Sequence, residues 1–208
     1  PTLPDHRGAA EALAAIDNYR LDLPKRMRDA IATVQAPLPN DPVFKGHRAR
    51  LIGSARLSLE AVAQRARALG IPAMILSDAI EGEAADIARM HAAIAREIAL
   101  RDRPFRKPVL LLSGGETTVT LKGNGRGGRN TEFLLALAIE LDGMAGVYGF
   151  AADTDGIDGS ESNAGAFVGP DTLVRLQKLG LQPRASLANN DAFSAFDALG
   201  ELFSPGPT

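Results

Sequence analysis

The stretch Thr117–Leu141, TTVTLKGNGRGGRNTEFLLALAIEL, sets a β-branched run, a glycine- and arginine-rich loop and an amphipathic segment end to end. TTVTL has strand composition. Phe133, Leu134, Leu137 and Leu141 recur at helical spacing. The loop between them, GNGRGGRN (Gly123–Asn130), is therefore a strand-to-helix connection. Glycines let a backbone close on a neighbour, and Arg126 and Arg129 add planar, fixed positive charge.

The same alternation extends outward. Strands are expected at Ala49–Ser54 (ARLIGS), Pro72–Asp78 (PAMILSD), Pro108–Gly115 (PVLLLSGG), Thr117–Leu121 and Val147–Ala152 (VYGFAA). Helices are expected between them: one through Leu59, Val62, Ala66 and Leu69, and a long one from near Gly82 with Ile87, Met90, Ile94 and Ile98 on one face. Two more lie around Leu173–Leu179 and Asn190–Leu199. Alternating strands and helices predict an α/β fold: a layered, mostly parallel sheet flanked by helices. Two helices broken at Pro24, His6–Tyr19 and Lys25–Val34, form an N-terminal helical lead. The Pro-rich Pro37–Phe44 reads as a linker, dividing the chain into residues 1–40 and an α/β domain over 41–208.

Composition excludes several classes. A net charge of −2 over 208 residues gives no electrostatic footprint for nucleic acid. The longest apolar runs fall short of a membrane span, and residues 1–13 lack the charge and apolar pattern of a signal peptide. The absence of cysteine excludes disulfides and thiolate metal sites and fits a cytoplasmic setting. The chain opens on Pro1 and closes on SPGPT, which reads as a fragment.

Ligands of parallel sheets gather at the carboxyl ends of the strands. Three polar loops are expected there: Ser113-Gly114-Gly115-Glu116, the arginine loop, and DTDGIDGSES (Asp153–Ser162). The first could cradle an anion with backbone N–H groups. The third brings carboxylates suited to Mg²⁺, although its glycines miss the EF-hand positions. The spacing Gly123-x-Gly125-x-x-Gly128 also meets the dinucleotide fingerprint, so a hydride-transfer cofactor competes with a phosphate for the same loop. Arg126, Arg129 and a helix N-terminus capped at Asn130 or Thr131 favour a triphosphate or a phosphoryl group in transfer. His6, His47 and His91 lie far apart in sequence, and His91 is expected at the surface.

SGGETTVTLKGNGRGGRNTEFLLALAIEL, TDGIDG, NNDAFSAFDALG and the closing GPT together resemble glycerate 2-kinases of the MOFRL family, which also carry hydroxypyruvate reductase names. The resemblance implies a bacterial enzyme using ATP and Mg²⁺ to phosphorylate D-glycerate at its 2-hydroxyl. It also implies two α/β domains with a cleft between them, of which this chain is the C-terminal half and lacks the N-terminal partner domain with its catalytic lysine. The family commonly has Gln, Gly and Asp where this chain has Thr131, Asp153 and Asn163. On this basis Arg126 and Arg129 are the expected catalytic residues. Ser113, Gly114, Gly115, Glu116, Thr117, Gly125, Gly127, Gly128 and Asn130 are expected to bind the nucleotide or substrate, and Asp155 and Asp158 the metal. A homodimer is compatible with the sequence. An NAD(P)H-dependent hydroxypyruvate reductase and a non-catalytic ligand-binding fragment are the alternatives.

Overall fold

The computed structural model describes residues 7–34, 37, 39–48 and 50–207. The chain divides into two units, Pro1–Ile52 and Gly53–Thr208. The division falls beyond the Pro-rich stretch, because residues 50–54 form no strand and leave Leu51 and Ile52 exposed. Ala49, where that expected strand begins, lies outside the described residues, and Ser54 is instead a helix cap that accepts from Leu57 N.

In the first unit, α1 (Ala9–Asn18) and α2 (Lys25–Thr33) are separated at Pro24, as the proline dictates. Arg28 pairs with Asp17 at 2.7 Å across the two helices. A 3₁₀ turn, Pro42–Phe44, follows, capped by Asp41. His6, where the first helix was expected to start, lies outside the described residues.

The second unit opens with α3 (Ala55–Ala68). A parallel pair then forms from β1 (Ala73–Glu83) and β2 (Leu110–Thr118), joined through α4 (Ala84–Arg101). Helices α3 and α4 flank the pair, giving the expected α/β arrangement with a parallel sheet. Strand β1 continues through Ser77–Glu83 instead of ending in a polar turn, with register shifts near Ser77 and Ile80. Strand β2 absorbs SGGET and stops at Thr118, so TTVTL is not a strand of its own.

Helix α5 (Arg129–Leu141) is the centre of the core, with Leu134, Leu135 and most of its length buried. It packs on α4, whose buried face is Ala84, Ala88, Ala92 and Ile98; of the stripe that the periodicity marked, Ile98 is buried and Ile87 and Ile94 are half-buried. Alanines there let the two helix backbones approach, while Met90 stays exposed. The remaining sheet is antiparallel, in the order β3-β4-β5: β3 (Gly149–Ala152), β4 (Gly165–Val168) and β5 (Leu202–Phe203). Helices α6 (Thr172–Lys178), α7 (Pro183–Ala188) and α8 (Ala192–Leu199) complete the unit, and α8 inserts Phe193 and Phe196 into the core. Among the described residues no helix is long and apolar enough to cross a membrane.

Candidate active site

The arginine loop is held from two sides by protein, which explains its glycines. On one side lies the Asn189-Asn190-Asp191 segment before α8. Asn190 Oδ1 accepts from Lys122 N (2.7 Å) and Gly123 N (3.0 Å), Asn189 O from Gly125 N (2.9 Å), and Asp191 Oδ1 from Arg126 N (3.0 Å). A Cβ on Gly125 would fall 2.4 Å from Asp191 Cβ, so only glycine admits this contact. On the other side stands Asp158, where a Cβ on Gly128 would fall 2.4 Å from its Cγ.

Asp158 is fully buried and caps α5 from outside that helix. Its Oδ1 accepts from Asn130 N (2.9 Å) and Asn130 Nδ2 (3.1 Å), and its Oδ2 from Thr131 N and Thr131 Oγ1 (both 2.9 Å). Four donors occupy the lone-pair sites of one carboxylate, which the helix N-terminus also favours electrostatically. Asp158 is therefore a capping residue, not the expected metal ligand, and Asn130 is spent on the same cap instead of facing a cofactor.

A cleft of 460 Å³ opens beside this junction. It is lined by Gly125, Gly127, Gly128 and Arg129 from the loop and helix start, by Asp153 and Asp155 after β3, and by Glu132 and Asn190. Arg129 is one-third exposed and pairs with Asp153 at 2.6 Å and with Glu116. Arg126 is not among the lining residues. Its guanidinium lies 4.4 Å over the Phe193 ring and grips Glu161, whose hydrogen bond raises the arginine's pKa. The two arginines, equivalent in sequence, thus have different surroundings.

Ser113, Gly114, Gly115, Glu116 and Thr117 lie within β2, not in a loop, and none lines the cleft. Gly115 backs directly on Ile80 of β1, which leaves no open anion cradle there. Glu116 reaches the site only through Arg129. His91 is half-buried rather than at the surface: its Nδ1 meets Ile87 O at 2.8 Å and its Nε2 meets Ser113 Oγ at 2.9 Å.

Glu132 and Asn190 lie within the stretches that carry the family resemblance, but sequence reasoning singled out neither as a site residue. Glu132 is 6% exposed, and its Oε2 accepts from Asn190 Nδ2 at 3.0 Å. Burial pushes its carboxyl pKa up, and the nearby Glu83 adds to this against the opposing effects of Asn190 and Lys122. The pair of asparagines before a helix was the available clue, since such residues hydrogen-bond backbone.

Among the described residues no cluster of three or more acidic or histidine side chains converges on a metal position. Mg²⁺ needs fewer, because it takes one or two carboxylates and completes its shell with water and phosphate oxygens. Asp155 fits that role. Its Oδ1 accepts from Ile157 N at 2.9 Å while the side chain borders the cleft.

Residues 109–208, which span β2 to the carboxyl end and include this whole cleft, match the MOFRL family. These residues form a MOFRL domain. Over all of its length the chain is 44% identical to 48% of an Agrobacterium vitis protein provisionally named a hydroxypyruvate reductase. Also over all of its length, it is 35% identical to 49% of a D-glycerate 2-kinase from Thermotoga maritima. The crystal structure of a glycerate kinase from Thermotoga maritima superposes with a TM-score of 0.84 at 34% identity, covering 98% of this chain and 48% of that one. The chain thus spans about half the length of the curated relatives it matches, and its MOFRL domain carries the arginine loop, the capping Asp158 and Asp155.

Proposed function

We propose that this chain is the MOFRL-bearing half of a glycerate 2-kinase that transfers the γ-phosphoryl group of ATP to the 2-hydroxyl of D-glycerate with Mg²⁺. The observation that carries the proposal is the meeting of Arg129 and Asp155 in one cleft at the N-terminus of α5. An arginine fork, a helix N-terminus and a carboxylate able to hold Mg²⁺ suit phosphoryl transfer, where catalysis is mostly positioning and charge stabilisation. Asp155 would hold the ion, which would neutralise charge on the phosphates when bound. Arg129 would leave Glu116 and Asp153 in part to meet the transferred group. The name glycerate kinase on a close structural neighbour supports the same substrate.

The name of the Agrobacterium vitis relative favours a second reading, an NAD(P)H-dependent hydroxypyruvate reductase. The loop argues against it, because Gly125 and Gly128 approach Asp191 and Asp158 and leave no close seat for a pyrophosphate. The test mixes the full-length protein with D-glycerate, ATP and Mg²⁺ and follows ADP. A parallel assay follows NADH loss with hydroxypyruvate. ADP formation dependent on D-glycerate is expected, and NADH oxidation without it would overturn the kinase reading.

A further inference from the structure

The cleft holds several carboxylates, and they are not equally free. Asp153 is engaged by Arg129 at 2.6 Å, and Asp155 takes the Ile157 N–H and is the candidate ion ligand. Asp158 is sealed under the first turn of α5 by four hydrogen bonds, and Glu116 is paired with Arg129 outside the lining. Glu132 differs from all of these. It is buried, at 6% exposed, and yet borders the cleft; Oε2 is held by Asn190, while Oε1 has no hydrogen-bond partner among the described residues.

We infer that Glu132 is the general base of the phosphoryl transfer, its Oε1 taking the proton of the acceptor hydroxyl. The inference rests on the kinase reading above. In the step, the oxygen of the 2-hydroxyl forms the new bond to the γ-phosphorus, and the bond from that phosphorus to the β–γ bridging oxygen breaks. The electron pair of that bond leaves on ADP, and the hydroxyl proton passes to Glu132, which later releases it to water.

The surroundings suit this work. The Asn190 amide fixes the carboxylate's orientation, and that amide is itself fixed by Lys122 N, Gly123 N and Thr120 O. Base strength follows from the neighbours. Burial raises the affinity of Glu132 for a proton, the Asn190 hydrogen bond lowers it, Glu83 at the end of β1 raises it and Lys122 lowers it. Arg129, Asp153 and Asp155 line the same cleft. A second cleft that Glu132 also lines holds Arg184 and the Asp86–Arg89 pair. A carboxylate with raised proton affinity is a stronger base than an exposed one.

Glu132→Gln in the full-length protein is the test, because glutamine keeps the shape and can still accept from Asn190. The kcat for D-glycerate is expected to fall roughly 100- to 10,000-fold with KM little changed. The acid limb of the pH–kcat/KM profile should disappear with it. In the free full-length protein, carboxyl-carbon NMR should show Glu132 titrating above the exposed glutamates, at the midpoint of that limb. A near-normal kcat, or an equal fall at every pH with the limb retained, would overturn the inference while leaving the kinase reading intact. Absence of D-glycerate-dependent ADP from the unsubstituted protein would overturn both. Should Glu132→Gln not fold, the NMR comparison decides: a Glu132 titration that does not coincide with the limb rejects the assignment.

Discussion

Asp158 stabilises the fold through four hydrogen bonds to one helix turn, and removing it strands donors in a dry site. Asp158→Ala is expected to cost about 2–4 kcal/mol by chemical denaturation, since buried Asn130 and Thr131 groups lose their acceptor. Asp158→Asn should recover little, because an amide nitrogen would then face an N–H. Arg129 and Arg126 separate by chemistry as they do by position. On the proposed reaction, Arg129→Lys keeps the charge but loses the fork, and should lower kcat by about 2–4 kcal/mol of barrier with a smaller effect on the KM for ATP. Arg126→Lys should change kcat less, because Arg126 does not line the cleft and its guanidinium is held by Glu161 and Phe193. Glu132 adds a pH dependence. Its folded pKa lies above the ordinary 4.5, so between the two values the folded state binds more protons than the unfolded state. Stability from this group is then full below the ordinary value and is lost as pH rises through the folded value. Urea titrations at stepped pH should show Glu132→Gln gaining on the unsubstituted chain across that window and level above it.

Elements are fixed here by close approach as much as by propensity. The loop before α5 and the segment before α8 interlock through Asn189, Asn190 and Asp191, and the contact tolerates no side chain at Gly125. Gly125→Ala should cost about 1–3 kcal/mol, the range for forcing atoms into a packed site. Amide hydrogen exchange should locate the damage, with protection falling at Gly123, Gly125 and Arg126 while α4 is unaffected. Periodicity identified α3 and α5, whose apolar spacing runs through Leu59, Val62, Ala66 and Leu69 and through Phe133, Leu134, Leu137 and Leu141. It missed the alanines on the buried face of α4, which hydropathy alone ranks below isoleucine. The short strands β4 and β5 were not legible, since two to four residues offer too little pattern to separate from a loop.

At the scale of the molecule, the principal hydrophobic core lies entirely within Gly53–Thr208, gathered on α5 and closed by α4, β4, α6 and α8. A chain of residues 53–208 is therefore expected to unfold in one cooperative transition, with far-UV circular dichroism and NMR amide intensities giving the same midpoint. Non-coincident curves would show that residues 1–52 are needed to complete that core.

By itself the sequence determined the alternation of helices and strands, the break at Pro24, the arginine loop at a helix start and the acidic segment after β3. These are local properties, set by side-chain period, proline geometry and composition over a few residues. Tertiary structure alone decided what each polar residue does, because that depends on partners distant in sequence. Asp158 became a cap once folding brought it over α5, 28 residues from Asn130. Gly125 became obligatory when Asp191 arrived beside it. Glu132, one acid among 25 acidic residues, acquired its raised proton affinity only by burial, with Glu83 adding to it. Desolvation and hydrogen bonding act through space, and a linear pattern contains neither distance nor dielectric.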